Sequence, residues 1–382
     1  MKYAVVGFGT AGYHAVKKIR ELDKEGCIDV YSNTGRAPYN PMLTTYYAFG
    51  KLEYEGMFPF GDLEQIQKEV DFNLRREQVI KVHGSEHLVE TENGSEQYDR
   101  ILIATGARAF APPVKGLEPE DAFLMRTVED ALRFKDRLKK NDIKHAVVIG
   151  ASMAGIKVVE VLHKYGIETW LLDLASYIFP LAAYKEVAKE IEKRVEAQGV
   201  HLMFGVTIDH MEQENGEKTA VLTDGSRIPA DIVGLCIGTR AITETVQGEV
   251  EIGRGIVVDD HMRTSVPGIY AAGDCCEGNN LESGQNQIIG LWANANHQGE
   301  TAGINMAGGD MAYKGNILHN ITHFMNMDFI GFGDNRMQGE VLEYGSLSED
   351  LYIRLVLDGK RIVGANILDN YRISGIIKNY ML

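Results

Sequence analysis

At 382 residues the chain is long enough for two or three domains with ample core. Hydrophobic residues make up 45% and charged residues 24%, an ordinary globular balance, and the net charge of -15 excludes a broadly basic nucleic-acid-binding face. Four scattered cysteines, Cys27, Cys236, Cys275 and Cys276, are too few for a secreted disulfide framework, and no stretch approaches the roughly 18 apolar residues of a membrane span. The first residues, MKYAVVGFG, run straight into a strand and a turn with no signal-peptide pattern, so a cytoplasmic location is expected.

The segment KYAVVGFGTAGYHAVKKIRELDKEGCIDVYSN reads strand, turn, helix, strand. The apolar run Tyr3 to Val6 suits a buried parallel strand, and the glycines begin as it ends. Gly7 permits the tight turn, Gly9 lets the backbone approach a pyrophosphate, and Gly12 lets helix and strand pack closely. The pyrophosphate would rest on free amides at the positive end of the helix dipole. The stretch VYSNTGRAPYNPMLTTYY, residues 30 to 47, closes the strand on Ser32 and Asn33. No cysteine occurs between Cys27 and Cys236.

Further along, ILIATGARA (101 to 109) is an apolar strand ending in a small-residue turn. The charged stretch RFKDRLKKNDIK reads as a solvated helix end and linker. The first pattern returns in KHAVVIGASMAGIKVVEVLHKYGIETWLLD, residues 144 to 173. Gly150, Ser152 and Gly155 occupy its glycine positions, and Asp173 closes the second strand. An aspartate there accepts hydrogen bonds from both ribose hydroxyls of an adenine nucleotide and repels a 2'-phosphate. Leu174 to Tyr177 include no Arg or Lys, so NADH is favoured over NADPH. GIVVDDHMRTSVPGIYAAGDCCE (255 to 277) ends a strand on Gly273 and Asp274, which suits a ribityl or phosphate-side hydroxyl. Two nucleotide turns in one chain suggest two dinucleotides passing electrons between them.

In the order GFGTAG, ATG, GASMAG, IYAAGD, these motifs resemble the pyridine nucleotide-disulfide oxidoreductase superfamily, the two-dinucleotide-binding-domain flavoproteins. The helix GLWANANHQGETAGINMAGGDMAY and the chain's last thirty or so residues are most similar to the branch of rubredoxin reductases and the flavin module of NADH nitrite reductases. The resemblance implies an α/β fold with two Rossmann-like dinucleotide-binding domains, the second inserted in the first, plus a small α+β C-terminal interface domain. Residues 1–112 and 238–310 would bind FAD, 113–237 would bind NADH, and 311–382 would form the interface domain, with a hairpin at Asp358 and Gly359. A homodimer is also implied. On that alignment Gly7, Gly9 and Gly12 hold the FAD pyrophosphate, and Val79 meets adenine through its backbone. Thr105 and Gly106 line the cofactor, Asp274 beside Gly273 takes the ribityl chain, and the helix from Trp292 points its amino end at the flavin pyrimidine. Gly150, Ser152, Met153, Ala154, Gly155 and Asp173 bind NADH, with Gly238 near the nicotinamide.

The sequence departs from that pattern in three places. Ser32 replaces the acid that usually meets the FAD ribose. Ser32 or Asn33 would give a weaker neutral hydrogen bond, with Arg36 compensating at the phosphates, or the ribose is more solvated. Pro41 or Met42 stands where disulfide-reducing members carry a reactive cysteine, and neither can attack a disulfide. Tyr46 falls near the flavin-proximal lysine of other members, and Thr44 to Tyr47 would shape an acceptor pocket. Lys157 replaces a common glutamate. It would pair with a carboxylate or stabilise anionic flavin, or else lie on the surface with its stem on the sheet. Cys275 and Cys276 read as small buried residues, and no metal-ligand spacing is present. His319 and His323 in HNITH would share a face of a short helix, as interface packing or as proton donors.

These readings predict an FAD-dependent NADH:acceptor oxidoreductase in which hydride passes from nicotinamide to flavin N5. The acceptor would be a redox protein of the rubredoxin or ferredoxin kind, or an iron-containing partner subunit. The alternatives are an NADH oxidase, a flavin reductase of a small organic substrate, or a flavin-binding structural or sensing subunit.

Overall fold

The computed structural model describes residues 1–347 and 351–381. The chain divides into two compact units. The first comprises Met1–Asn40, Tyr54–Arg108 and Arg240–Ile317, and the second Pro41–Glu53, Ala109–Thr239 and Leu318–Leu382.

The first unit is built on a five-stranded parallel sheet in the order Ile269–Ala271, Arg100–Ile103, Lys2–Val6, Cys27–Tyr31, Asn73–Arg75. Val5 lies opposite Val30 on one side and Leu102 on the other, and all three are fully buried. Helices cover both faces of such a sheet, which explains its continuous apolar runs. The helix Thr10–Leu22 buries Ala11, Ala15 and Ile19, a stripe spaced by one turn. It packs against the helix Trp292–Met306. At that crossing Gly299 and Gly303 face the backbone itself: a Cβ on either would collide with the carbonyl oxygens of Ala11 and Ala15. The unit also holds an antiparallel three-stranded sheet, Val79–His83, Leu88–Thr91 and Gly94–Gln97, and a two-stranded one, Gly278–Asn279 with Asn286–Gln287.

The second unit repeats the plan with a parallel sheet ordered His201–Phe204, Glu168–Asp173, His145–Ile149, Ile232–Leu235, Ala122–Phe123. It also holds a five-stranded antiparallel sheet, ordered His319–Phe324, Met327–Gly333, Arg361–Leu368, Leu351–Asp358, Glu340–Ser346. Phe179 joins the two: it stacks on Phe329 at 5.2 Å and meets Phe324 edge-on at 5.6 Å. The short helix Leu43–Phe49 packs within this unit against the helices Val128–Leu138 and Met153–Lys164. The Asp358–Gly359 hairpin forms as expected, with Asp358 paired to Arg361 and Gly359 at φ +60°.

HNITH is a strand, which corrects the expected short helix. Met325 and Asn326, at φ +47° and +62°, form a two-residue turn between Phe324 and Met327. Left-handed residues at both turn positions match the twist of a hairpin. A spacing of four residues puts His319 and His323 on one face of a strand as well as of a helix.

Gly299→Ala is expected to destabilise the protein by about 1–3 kcal/mol, because the helices must part. Gly375→Ala, on the helix Ser374–Met381 with nothing within 4 Å of the new carbon, is expected to be neutral or slightly stabilising. Urea midpoints of the two variants test this, and equal midpoints would contradict the crossing.

Candidate functional site

In the first unit the strand Lys2–Val6 delivers the chain into a glycine turn. Gly7 sits at φ +104°, where a Cβ would overlap the Ala104 carbonyl, and a Cβ on Gly12 would overlap Gly7. Gly9 differs: it is exposed, and a Cβ there would meet nothing within 4 Å. No side chain caps the helix that starts at Thr10, so its first amides remain available to an anion. Gly273, at φ +86°, lies close to this helix, where an added Cβ would come within 3.1 Å of the Ala11 methyl, and its amide donates to Gln298 Oε1 at 2.9 Å. Gly273 and half-buried Asp274 are thereby brought beside the Gly9 turn. Ala104 bonds to Val6 at 2.8 Å, and the Thr105 hydroxyl donates to the Ile242 carbonyl at 2.6 Å, so Thr105 holds the turn through its side chain while Gly106 takes φ +71°.

At the strand's end, Ser32 is buried and its amide donates to the Arg75 carbonyl at 2.9 Å. Asn33 donates to Gln78 Oε1 at 2.8 Å, and Gln78 donates to the Val79 carbonyl at 3.0 Å. Ser32, Asn33 and Val79 thus converge. Arg36 donates to the Tyr54 hydroxyl at 2.5 Å, and the Arg76 side chain lies against Gly35. The strand does contain an acid, Asp29, but it is buried in the core, where it accepts from Tyr98 at 2.8 Å and Asn73 at 2.9 Å. Burial and the bonds to Tyr31 and Asp29 raise the Tyr98 pKa far above the phenol range. The helix Trp292–Met306 begins without a side-chain cap. Its Trp292 ring stacks on Phe60 at 5.6 Å, while the buried indole Nε1 has no partner among the described residues. An open diphosphate cradle, two uncapped helix starts and an orphaned indole donor fit a dinucleotide such as FAD.

The second unit repeats the turn. Gly150 takes φ +103°, where a Cβ would overlap the Cys236 carbonyl, and Gly155 packs on Gly150. Ser152 caps the helix Met153–Lys164: its hydroxyl accepts from the Gly155 amide at 3.3 Å and donates to the Cys236 carbonyl at 3.0 Å. Asp173 accepts from the Ala151 amide at 2.7 Å and the Ala175 amide at 2.8 Å. The carboxylate is thereby held against the glycine turn, and Met153 and Ala154 open the helix that follows it. Gly238, at φ +102°, has open space around it and accepts from the Phe110 amide at 2.9 Å.

Lys157 is buried, which rules out the surface reading. Its ammonium donates to buried Glu160 and, at 2.8 Å, to the His323 carbonyl, and lies 4.6 Å from the Tyr46 ring centre. Glu160 also accepts from Lys51 at 3.1 Å and from the Met325 amide at 3.2 Å. Two lysines thus share one carboxylate over a tyrosine ring, tying the helices Leu43–Phe49 and Met153–Lys164 to the hairpin at Met325. Burial lowers the Lys157 pKa, only partly offset by the Glu160 bond. For Glu160, burial is outweighed by hydrogen bonds from Lys157 and Lys51, which hold the carboxyl below its usual range. Burial, then the Glu160 and Asp328 charges, raises the Tyr46 pKa. His323 bonds Asp328 at 2.7 Å through Nδ1, whereas His319, at the other end of the strand, lies 6.2 Å from the Phe332 ring. Sequence reasoning missed Lys51 and Glu160. Only Glu160, three residues after Lys157 on a helix, carried a local signal.

Thr44 and Thr45 are buried and donate to the Pro41 and Met42 carbonyls at 2.6 and 3.2 Å. Their hydroxyls are spent in their own helix turn, so the expected acceptor pocket loses its polar wall. Met42 is exposed. Burial raises the Cys236 thiol to about 12. Cys275 donates to the Ile103 carbonyl at 3.3 Å and Cys276 to the Gly273 carbonyl at 3.4 Å, both buried.

A family model described as pyridine nucleotide-disulphide oxidoreductase matches residues 1–299. The chain belongs to this family. It is an NAD(P)H-dependent flavoprotein oxidoreductase whose cofactors are FAD and NADH. It is 28% identical over 348 residues to the NADH-dependent phenylglyoxylate dehydrogenase subunit epsilon of Aromatoleum evansii, covering 89% of this chain and 82% of that one. It is 28% identical over 310 residues to the 3-phenylpropionate/cinnamic acid dioxygenase ferredoxin–NAD(+) reductase component of Photorhabdus laumondii, covering 80% and 77%. The structure of NADH:rubredoxin oxidoreductase from Clostridium acetobutylicum superposes with a TM-score of 0.78 at 22% identity, covering 100% of this chain and 94% of that one. No described helix of this oxidoreductase is long and apolar enough to cross a membrane.

Glu160→Gln leaves Lys157 buried without its counter-charge and is expected to cost about 3–5 kcal/mol. Lys157→Met should cost clearly less, because Lys51 still neutralises Glu160. The Glu160 pKa is depressed on folding, so its stabilisation is present above the unfolded carboxyl pKa and is lost as pH falls through the lower folded value. Urea midpoints of both variants near neutral pH and under acid conditions check the order, and a larger loss in Lys157→Met would refute it.

Proposed function

We propose that this oxidoreductase passes electrons from NADH through bound flavin directly to a protein acceptor, with no thiol relay. The acceptor is a rubredoxin- or ferredoxin-like carrier or an iron-containing partner subunit. The reading is carried by the sequence: Pro41 or Met42 stands where the resemblance places the cysteine of thiol-using members, and neither side chain can relay electrons as a thiol. Two similar proteins support it, since one is named as a subunit of a larger dehydrogenase and the other as a ferredoxin reductase component.

The flavin, when bound, supplies the chemistry that turns hydride into transferable electrons. The chain's contribution is binding and electrostatics. Gly7, Gly9 and Gly12 present the amides of one helix start, and Gly273, Asp274, Thr105, Gly106, Ser32, Asn33, Arg36 and Val79 complete the FAD cradle. Met153, Ala154 and the glycine turn of the second unit hold NADH, with Asp173 on the ribose and Gly238 toward the nicotinamide end. The helix start at Trp292 favours negative charge on reduced flavin. Tyr46, Lys157 and His323 act as positioning residues through the buried ion-pair cluster, and His319 packs the interface sheet of a homodimer. The protein acts in the cytoplasm.

Two outcomes test the reading. Treating the NADH-reduced protein with iodoacetamide should leave its rate with a ferredoxin unchanged, whereas inactivation would point to a thiol route. Asp173→Ser should raise the KM for NADH and narrow the preference over NADPH by roughly tenfold, and an unaltered preference would remove Asp173 from the ribose site.

A further inference from the structure

Helix Leu43–Phe49 carries three aromatic rings, and each lies under a lysine from another part of the second unit. Lys135 sits 3.8 Å from the Tyr47 ring centre, Lys164 lies 4.5 Å from Phe49, and Lys51 lies 4.3 Å from Phe49. Lys164 also donates to the Phe49 carbonyl, at the negative end of this helix. Lys139 is in electrostatic reach of Tyr47. The carboxylates nearby are few. Glu160 is buried and already shared between Lys51 and Lys157, and Asp136 pairs with Lys139 at 2.8 Å. Lys135 and Lys164 have no carboxylate ion pair among the described residues.

This is a concentration of positive charge on a chain whose net charge is -15. Like charges repel, so converging them from two helices and the loop after a third costs stability unless something opposite is met there. The rings under the ammonium groups hold them by cation–π attraction at modest strength without neutralising them. We propose that this lysine-and-aromatic face is the docking surface for an acidic protein partner, and, on the proposed function, for the electron acceptor. An acidic carrier would be repelled by most of the molecule and drawn here, so the patch steers encounter and orientation. The mixture of aromatic rings and cations also matches the composition of interface centres.

The test uses the FAD-loaded protein with an acidic rubredoxin and an acidic ferredoxin as probes, NADH as donor and menadione as a small neutral acceptor. The double variant Lys135→Glu with Lys164→Glu should raise the half-saturating concentration of the carrier roughly tenfold at low ionic strength and leave menadione turnover unchanged. Added salt should weaken the wild-type response to the carrier and have little effect on the variant. Lys135→Gln with Lys164→Gln should give an intermediate shift, which keeps the test open if the charge reversal impairs folding. Lys68→Glu, an exposed reversal in the first unit, should leave the carrier response in place. Carrier reduction that the double variant leaves unaltered, or that Lys68→Glu weakens equally, overturns the docking face while the acceptor reading stands. Reduction of menadione but of neither carrier by the wild type overturns both.

Discussion

Two places where the backbone cannot carry a side chain govern this molecule. At Gly7 and Gly12, and again at Gly150 and Gly155, a single added carbon would overlap a carbonyl oxygen. Each turn lets a buried strand feed directly into a helix; the first helix starts without a side-chain cap and the second is capped by Ser152, and an uncapped start offers a diphosphate site made of backbone alone. Everything polar in the two cradles is arranged around these turns. Asp173 is braced by amides at 2.7 and 2.8 Å, and Gly273 is pinned by Gln298 at 2.9 Å. The family's chemistry rests on this economy: the cofactors react, and the protein supplies position and field.

The short helix Leu43–Phe49 is held by a buried charge cluster. Glu160 is buried between Lys51 and Lys157, with Tyr46 beneath and the Met325 amide beside it. A buried carboxylate with two cations loses solvation on every member, so the cluster holds only if its bonds are complete. It ties together a short helix, a longer helix and a hairpin within one unit, and no member carries a thiol. The same short helix presents its remaining aromatic rings under unneutralised lysines. Internal charge pairing and an outward positive face are two consequences of placing lysines around one aromatic turn.

The glycine turns were legible because their spacing encodes a steric requirement that few other residues meet. Trp292 as a helix start and the Asp358–Gly359 hairpin were legible for similar local reasons. HNITH misled, since a spacing of four residues shares a face in either element, and the deciding feature was the left-handed pair Met325 and Asn326 just beyond it. The partnership of Lys51 with Glu160 was invisible, because it joins residues 109 positions apart. Thr44 and Thr45 read as pocket-lining hydroxyls, yet each bonds a carbonyl three residues back, a habit of threonine in helices that its sequence position alone does not announce.

The proposed electron route has no thiol between flavin and acceptor. Anaerobic titration of the oxidised, FAD-loaded protein with NADH tests it most directly, following the flavin absorbance to completion. A chain whose only redox centre is the flavin should be fully reduced by a single equivalent of NADH per flavin. Uptake of a second equivalent, with new free thiols, would reveal a disulfide in the path and contradict the account.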